Sequence, residues 1–203
     1  MLRARFLLLS LCCLGCGQAK ISEVAPPASS SATASTKNDD VKLTIVSYDG
    51  VIEHIAANRG KVVVMDAWST SCPPCMKEFH NLVDLHRQYK PEQLACISLS
   101  FDYEGLGKPE EVQDRVLDFL QSQRATLDNL LSNEESDVLY RKFKLAAVPA
   151  VFVYDREGKL RQRFDNEQTK TKAEAFTYEQ VQQLVTELLA EGDGPSATAK
   201  EAK

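Results

Sequence analysis

Apolar residues recur along the chain in two alternating patterns, one typical of β-strands and the other of amphipathic helices. Short stretches rich in Val, Ile, Leu and Phe predict strands at 41–46, 61–68, 94–101, 127–131, 150–154 and 160–164. Apolar residues at helical spacing predict helices at 50–58, 76–89, 109–123, 134–143 and 178–189. Strands that alternate with helices in this way predict an α/β fold.

The strand at 61–68 indicates which kind of sheet to expect. Residues 62–65 are apolar without alternation, which favours a strand that is covered on both faces. The last two strands flank the sequence Asp-Arg-Glu-Gly at 155–158, which is typical of a hairpin turn. A strand buried on both faces and a later antiparallel hairpin together predict a central mixed β-sheet flanked by helices.

The two ends of the chain lack these patterns. Two arginines precede an apolar run at 6–14, and the small residues after it complete the pattern of a secretory signal peptide over 1–21. The alternative is a disordered hydrophobic N-terminus on a cytosolic protein. Residues 22–40 are rich in Ser, Ala, Thr and Pro, so a flexible linker is expected there and a disordered tail at 191–203. One domain remains, from 41 to 190.

Composition and charge narrow the function classes. Of the 203 residues, 43% are hydrophobic and 26% charged, which is enough for one sizeable core. The net charge of −5 comes from residues of mixed sign without a long basic run. Because nucleic-acid binding needs clustered Lys and Arg, nucleic acid is not an expected partner.

The cysteines carry the candidate chemistry. Three of the six lie in the predicted signal peptide, which leaves Cys72, Cys75 and Cys96 in the domain. One close pair and one further cysteine do not make a disulfide-stapled scaffold, so the pair is interpreted as catalytic or regulatory. Cys96 lies in an apolar strand and is expected to be a small buried hydrophobe.

The spacing of the pair has a physical reason. If a helix begins at Pro73, Cys72 lies at its N-cap and Cys75 on its first turn, where the two sulfurs can meet. The unpaired N–H groups and the dipole of that helix end favour a thiolate on Cys72. The pattern therefore predicts a redox-active dithiol.

Residues 62–78, Val-Val-Val-Met-Asp-Ala-Trp-Ser-Thr-Ser-Cys-Pro-Pro-Cys-Met-Lys-Glu, resemble the active-site segment of the thioredoxin superfamily. The similarity is greatest to the TlpA/ResA-type proteins of bacterial envelopes. Residues 147–155, Ala-Val-Pro-Ala-Val-Phe-Val-Tyr-Asp, resemble the second signature of that family. The resemblance covers 41–190 and implies a thioredoxin-like fold with an insertion at 102–131, after the strand that follows the CxxC helix. It also implies a thiol–disulfide oxidoreductase without an organic cofactor.

The resemblance assigns roles to individual residues. Cys72 would be the nucleophile and Cys75 the resolving cysteine. A cis peptide bond is implied between Val148 and Pro149, where the ring would lie against the cysteines and the backbone of Val148 would pair with a substrate peptide. The alternative for Pro149 is an ordinary loop proline.

Two residues of the preceding strand are also assigned. Asp66 interrupts a buried apolar run and matches the buried proton acceptor for the resolving cysteine. The alternative is that strand twist turns Asp66 to solvent or into a local hydrogen bond. Trp68 is expected to pack beside the site and is assigned to the substrate-binding set.

The sequence departs from the family pattern at two positions. Ser71 replaces a common Trp, and His80 replaces a helix-kinking proline. His80 either tunes the disulfide or faces solvent, and the solvent-facing interpretation is favoured without a paired acid. Glu78 matches an acidic position of the TlpA-like branch, and otherwise is a charge on the helix surface.

The N-terminus carries a second, partial resemblance. Leu-Gly-Cys-Gly at 14–17 is similar to the end of a bacterial lipoprotein signal, with Cys16 as the lipidated residue. Lipid on Cys16 would anchor the protein to a membrane without a spanning segment, in the periplasm. The expected partners are protein disulfides or dithiols and a membrane electron donor.

Three other functions remain open. A peroxiredoxin shares the fold but needs Thr-x-x-Cys, and here Ser69 stands in the threonine position. A closed zinc site needs four ligands, of which this pair supplies two. A redox-inactive scaffold is the third alternative.

Overall fold

The computed structural model describes residues 40–169, 171 and 174–191. The predicted signal peptide, its lipidation candidate Cys16, all of the predicted linker except Asp40, and residues 192–203 of the predicted tail lie outside the described residues.

Six strands alternate with five helices in the described part of the chain. The strands are β1 (Thr44–Val46), β2 (Val62–Trp68), β3 (Leu94–Ser100), β4 (Asp128–Ser132), β5 (Ala150–Tyr154) and β6 (Leu160–Asp165). The helices are α1 (Tyr48–Ala57), α2 (Pro73–Gln88), α3 (Glu110–Ser122), α4 (Ser136–Phe143) and α5 (Tyr178–Glu191). Within the described ranges, no helix combines the length and the apolarity that crossing a membrane requires.

The strands form one mixed sheet in the order β1-β4-β3-β2-β5-β6. The pairs β1–β4, β4–β3 and β3–β2 are parallel, and β5 is antiparallel to both β2 and β6. The predicted α/β fold with a central mixed sheet is therefore confirmed. The segment 102–131 supplies α3 and most of β4, and β4 enters the sheet between β1 and β3.

β2 lies inside the sheet and all seven of its residues are buried. Val62 and Val64 belong to the apolar core on one face of the sheet, and Val63 and Met65 to the core on the other. Coverage on both faces explains the unbroken apolar run in the sequence. The end of this strand leads directly into the two cysteines.

β1 is shorter than the sequence predicts, because it begins at Thr44 instead of Val41. Pairing with β4 starts where Thr44 lies opposite Leu130. One residue earlier on β4, the Asn129 side-chain amide donates to the Lys42 carbonyl oxygen at 3.0 Å. A side chain therefore takes the acceptor that a longer ladder would have used.

The predicted hairpin between β5 and β6 is confirmed. Asp155 Oδ1 accepts hydrogen bonds from the N–H groups of Glu157 and Lys159 at 3.1 and 2.9 Å. Gly158 has a φ of +79°, a conformation that residues with a Cβ rarely adopt. The turn chemistry read from these residues therefore forms as expected.

Candidate active site

Cys72 and Cys75 lie at the start of α2, just after the carboxyl end of β2. Cys72 is the N-cap residue and has extended backbone geometry, and Pro73 and Pro74 occupy the first two helical positions. Proline suits these positions because their N–H groups have no intrahelical partner. The sequence of the motif thus fixes where the helix begins.

The two cysteines form a disulfide with an S–S distance of 2.03 Å and a Cα–Cα distance of 5.3 Å. The Cys75 N–H donates to Cys72 Sγ at 3.3 Å. Both residues are nearly buried, with exposed fractions of 8% for Cys72 and 4% for Cys75. Cys72 is therefore the slightly more exposed cysteine and also the one whose sulfur accepts a backbone N–H at the start of the helix.

A distant loop completes the surroundings of the disulfide. The Val148–Pro149 peptide bond is cis, as the family resemblance implied. Cys72 Sγ lies 3.7 Å from the carbonyl oxygen of Val148. The fold therefore brings together two motifs that stand 76 residues apart in the sequence.

Beside the disulfide lies a cavity of about 720 Å³. Asp66 lines it from β2, Cys75 and Glu78 from α2, Pro149 from the loop before β5, and Tyr178 from α5. Its lining is completed by Pro73, Pro74, Lys77, Asn81, Asn166, Ala175, Phe176, Thr177 and Glu179. One cysteine of the disulfide and a buried aspartate therefore line the same cavity.

Asp66 is 5% exposed, so the alternative in which strand twist turns it to solvent is wrong. Burial raises the pKa of Asp66 to about 7, although a hydrogen bond from Tyr178 acts in the opposite direction. The Tyr178 hydroxyl donates to Oδ2, while Oδ1 is buried without a hydrogen-bond partner among the described residues. Because this pKa lies close to neutral, the carboxyl group can both accept and release a proton near pH 7.

Trp68 is fully buried at the end of β2. Its ring packs against Phe79 and Phe119, with both centroid distances 4.9 Å. The expected packing beside the site is confirmed. The indole has no exposed surface for a substrate contact, which differs from its assignment to the substrate-binding set. Phe79 of α2 and Phe119 of α3 cover it, and all three rings belong to the same apolar core.

Sequence reasoning missed Asp102, which holds the loop before the cysteines. Its carboxylate accepts from the Thr70 N–H at 3.1 Å and from the Thr70 hydroxyl. It also accepts from Ser100 Oγ at 2.6 Å and from Arg115 Nη2 at 3.2 Å. A signal existed, because Asp102 follows β3 and the carboxyl ends of parallel strands meet at one edge of a sheet.

Sequence reasoning also missed Tyr178. It is the first residue of α5 and stands 112 positions from Asp66, so no local pattern connects the two. Burial and the neighbouring Asp66 raise the pKa of the Tyr178 hydroxyl well above its usual value. The hydroxyl therefore stays protonated and remains a hydrogen-bond donor.

Three further expectations have outcomes in the structure. His80 is exposed and its Nδ1 lies 3.0 Å from the Lys77 carbonyl oxygen, which confirms the solvent-facing interpretation. Glu78 is a half-exposed surface charge paired with Lys77 at 3.1 Å, and it also lines the cavity. Cys96 is confirmed as a buried residue, and burial raises the pKa of its thiol. Within the described ranges, no group of three or more His, Cys, Asp or Glu side chains has the arrangement of a metal site.

Comparison with known proteins agrees with the resemblance described from the sequence. Residues 60–160 match a family model described as thioredoxin-like. The thiol-disulfide oxidoreductase ResA of Bacillus thuringiensis is 25% identical over 118 residues, covering 58% of this chain and 62% of the relative. The sporulation thiol-disulfide oxidoreductase A of Bacillus subtilis is 22% identical over 130 residues, covering 64% and 70%.

A solved structure gives the same fold. A thiol-disulfide isomerase from Corynebacterium glutamicum superposes with a TM-score of 0.52 at 21% identity, over 66% of this chain and 84% of that one. The chain spans 62% of the length of the ResA relative that it matches. The matched segment contains β2, both cysteines, β5 and the cis proline. The chain therefore belongs to the thioredoxin-like family.

Proposed function

We propose that the protein is a thiol–disulfide oxidoreductase that reduces disulfide bonds in protein substrates through Cys72 and Cys75. The observation that carries the proposal is the cysteine pair at a helix N-terminus, with the Val148 carbonyl 3.7 Å from Cys72 Sγ. The name of the ResA relative, thiol-disulfide oxidoreductase, supports the exchange chemistry. The described surroundings of the pair suit thiol chemistry, because unpaired helix N–H groups stabilise a thiolate.

The first step is attack by the reduced protein. The Cys72 thiolate attacks one sulfur of the substrate disulfide, forms an S–S bond to it and breaks the substrate S–S bond. The other substrate sulfur leaves as a thiolate and takes a proton from solvent. The Cys75 N–H at 3.3 Å and the helix dipole favour the thiolate that starts this step.

The second step releases the substrate. Cys75 gives its proton to Asp66 and attacks Cys72 Sγ, which forms the Cys72–Cys75 disulfide and expels the second substrate sulfur as a thiolate. Two electrons have then passed from the protein to the substrate, and reduction by a partner restores the dithiol. Asp66 suits the role of proton acceptor because its pKa of about 7 allows exchange in both directions.

Substrate binding is assigned to the loop of Val148 and Pro149. The Val148 carbonyl lies beside Cys72 and is in position to accept a hydrogen bond from an extended substrate peptide. Such pairing uses main-chain atoms, so it would accept many sequences.

The location of the protein is proposed from sequence. The signal at 1–21 would send the chain across the inner membrane, and lipid on Cys16 would hold it at the periplasmic side. A membrane donor would then supply electrons to the disulfide. Cys16→Ser should release the protein from membranes in cell fractionation, whereas retention in the membrane fraction would exclude this anchor.

The test of the activity is capture of a mixed disulfide. Cys75→Ser should hold a protein substrate covalently on Cys72, because the resolving thiol is absent, and Cys72→Ser should hold none. Non-reducing electrophoresis with reduction as the control gives the readout. Equal capture by both variants, or by neither, would contradict the assigned roles. Rapid consumption of hydrogen peroxide by the reduced protein would favour a peroxidase instead.

A further inference from the structure

The pair formed by Asp66 and Tyr178 has a feature that the exchange steps above do not use. The two oxygens of the Asp66 carboxyl group have unequal surroundings. Oδ2 accepts a hydrogen bond from the Tyr178 hydroxyl, and Oδ1 has no hydrogen-bond partner among the described residues. Both residues line the same cavity as Cys75. The tyrosine therefore distinguishes one oxygen of the proton acceptor from the other.

We propose that Tyr178 is a positioning residue, which occupies Oδ2 of Asp66 so that the proton exchanged with Cys75 is taken up and released at Oδ1. The inference rests on the proposed function, because it concerns the second step of thiol–disulfide exchange. It adds a residue from α5 to a site built from β2, α2 and the loop before β5.

The chemistry of the hydroxyl fits this role. Its pKa is raised well above the usual value, so it keeps its proton and donates at every pH at which exchange runs. A donated hydrogen bond is stronger to a carboxylate than to a carboxylic acid, so it stabilises the charged form of Asp66. This opposes the effect of burial and holds the pKa of Asp66 at about 7 instead of higher.

The position of Tyr178 in the fold makes the contact reproducible. It begins α5, whose residues Val181 and Val185 are fully buried in the core on the same face as Cys75. The backbone that carries the hydroxyl is therefore anchored by apolar packing. The hydroxyl approaches a carboxyl group that is itself fixed within a central strand.

Other titratable groups surround the pair and must stay unchanged in a test. They are Cys75, Lys77 and Glu78 on α2, Glu179 on α5 and Cys96 on β3. Removing one oxygen from Tyr178 leaves all of them in place. A change in the titration of Asp66 would then report the lost hydroxyl.

The experiment is Tyr178→Phe in the full chain, which keeps the ring and removes the donor. The pH midpoint of the Asp66 carboxyl, followed by carbon-13 NMR, should rise by about half a pH unit or more, because a bond that favours the charged form is lost. The pH profile of Cys75-dependent release of a mixed disulfide should shift upward by the same amount. Addition of Tyr178→Phe to Asp66→Asn should leave the profile of the Asn variant unchanged.

Tyr89→Phe is the matched control. Tyr89 is the C-cap residue of α2, and its hydroxyl lies 3.3 Å from Thr186 Oγ1 of α5 on an exposed part of the surface. In Tyr89→Phe, the pH midpoint of the Asp66 carboxyl should equal that in the parent. An unchanged midpoint in Tyr178→Phe would overturn the inference, even if the parent exchanges disulfides normally. Absence of exchange in the parent at any pH would instead overturn the proposed function.

Discussion

Two buried aspartates lie near the cysteines, and they differ in the number of hydrogen bonds they accept. Asp66, in the middle of β2, receives one donor and has one oxygen with none among the described residues. Asp102, just after β3, receives the N–H and hydroxyl of Thr70, the hydroxyl of Ser100 and the guanidinium of Arg115. Both residues are at most 5% exposed.

The difference shows that burial alone does not determine what a carboxyl group does. Asp102 has its oxygens occupied, so it fixes the loop that leads into Cys72. Asp66 lines a cavity, its Oδ1 has no hydrogen-bond partner in the part of the chain that the structure describes, and burial raises its pKa to about 7. The first carboxylate holds structure, and the second is suited to move a proton.

The largest expected effect is on the rate of exchange. Asp66→Asn removes the proton acceptor, so release of a mixed disulfide by Cys75 should slow about 100-fold near pH 7. Stopped-flow measurement with a trapped model disulfide gives the rate. Asp128→Asn is the control, because that carboxylate is 36% exposed, pairs with His54 at 2.7 Å and does not line the cavity. Equal rates in the two variants would remove Asp66 from the mechanism.

The second effect is on stability as a function of pH. The pKa of Asp66 rises from a reference value of 3.8, which we take for the unfolded chain, to about 7 in the folded protein. Between these pH values the folded protein therefore binds more protons than the unfolded chain. Its contribution to the free energy of unfolding therefore falls as pH rises from about 4 to about 7 and is constant above. The free energy of unfolding of oxidised Asp66→Asn, measured relative to that of the parent, should therefore be about 2 kcal/mol higher at pH 8 than at pH 5. Urea unfolding at both pH values measures this, and a constant difference would contradict the raised pKa.

The smallest expected effect is local. Asp102→Asn weakens charge-assisted bonds to Thr70 and Arg115, so the free energy of unfolding should fall by about 1.5 kcal/mol. The Thr70 amide should also exchange its hydrogen faster, as measured by NMR. Arg115→Gln is the comparison, with a loss of about 0.5 kcal/mol, since Arg115 is largely exposed. If the Thr70 amide exchanges as slowly in Asp102→Asn as in the parent, then other contacts hold the loop.

Much of the fold could be read from the sequence, because its strongest signals are local. The continuous apolar run of β2 predicted a strand covered on both faces, and the Asp155–Gly158 turn predicted the hairpin. The position of β4 between β1 and β3 could not be read, since no periodicity encodes the order of strands in a sheet. β1 was overestimated because Asn129, 87 residues from Lys42, takes its carbonyl oxygen.

The residues of the candidate site likewise divide into those that the sequence predicted and those that it did not. Cys72, Cys75, Asp66 and Pro149 stand in two compact motifs and were all named from sequence. The structure brings Asp66, Cys75 and Pro149 to one cavity and Val148 to Cys72. Tyr178 was missed because its role depends on where α5 docks, which is a property of packing and not of local pattern.

The most direct test of the account is the redox equilibrium of Cys72 and Cys75 in the purified protein. Equilibration with dithiothreitol or glutathione buffers, followed by differential alkylation and mass spectrometry, gives the fraction oxidised. As a reductase, the protein should have a reversible two-electron couple near the thioredoxin value of about −270 mV. A couple near about −120 mV would make the protein an oxidase, and no reversible couple at all would contradict the central claim.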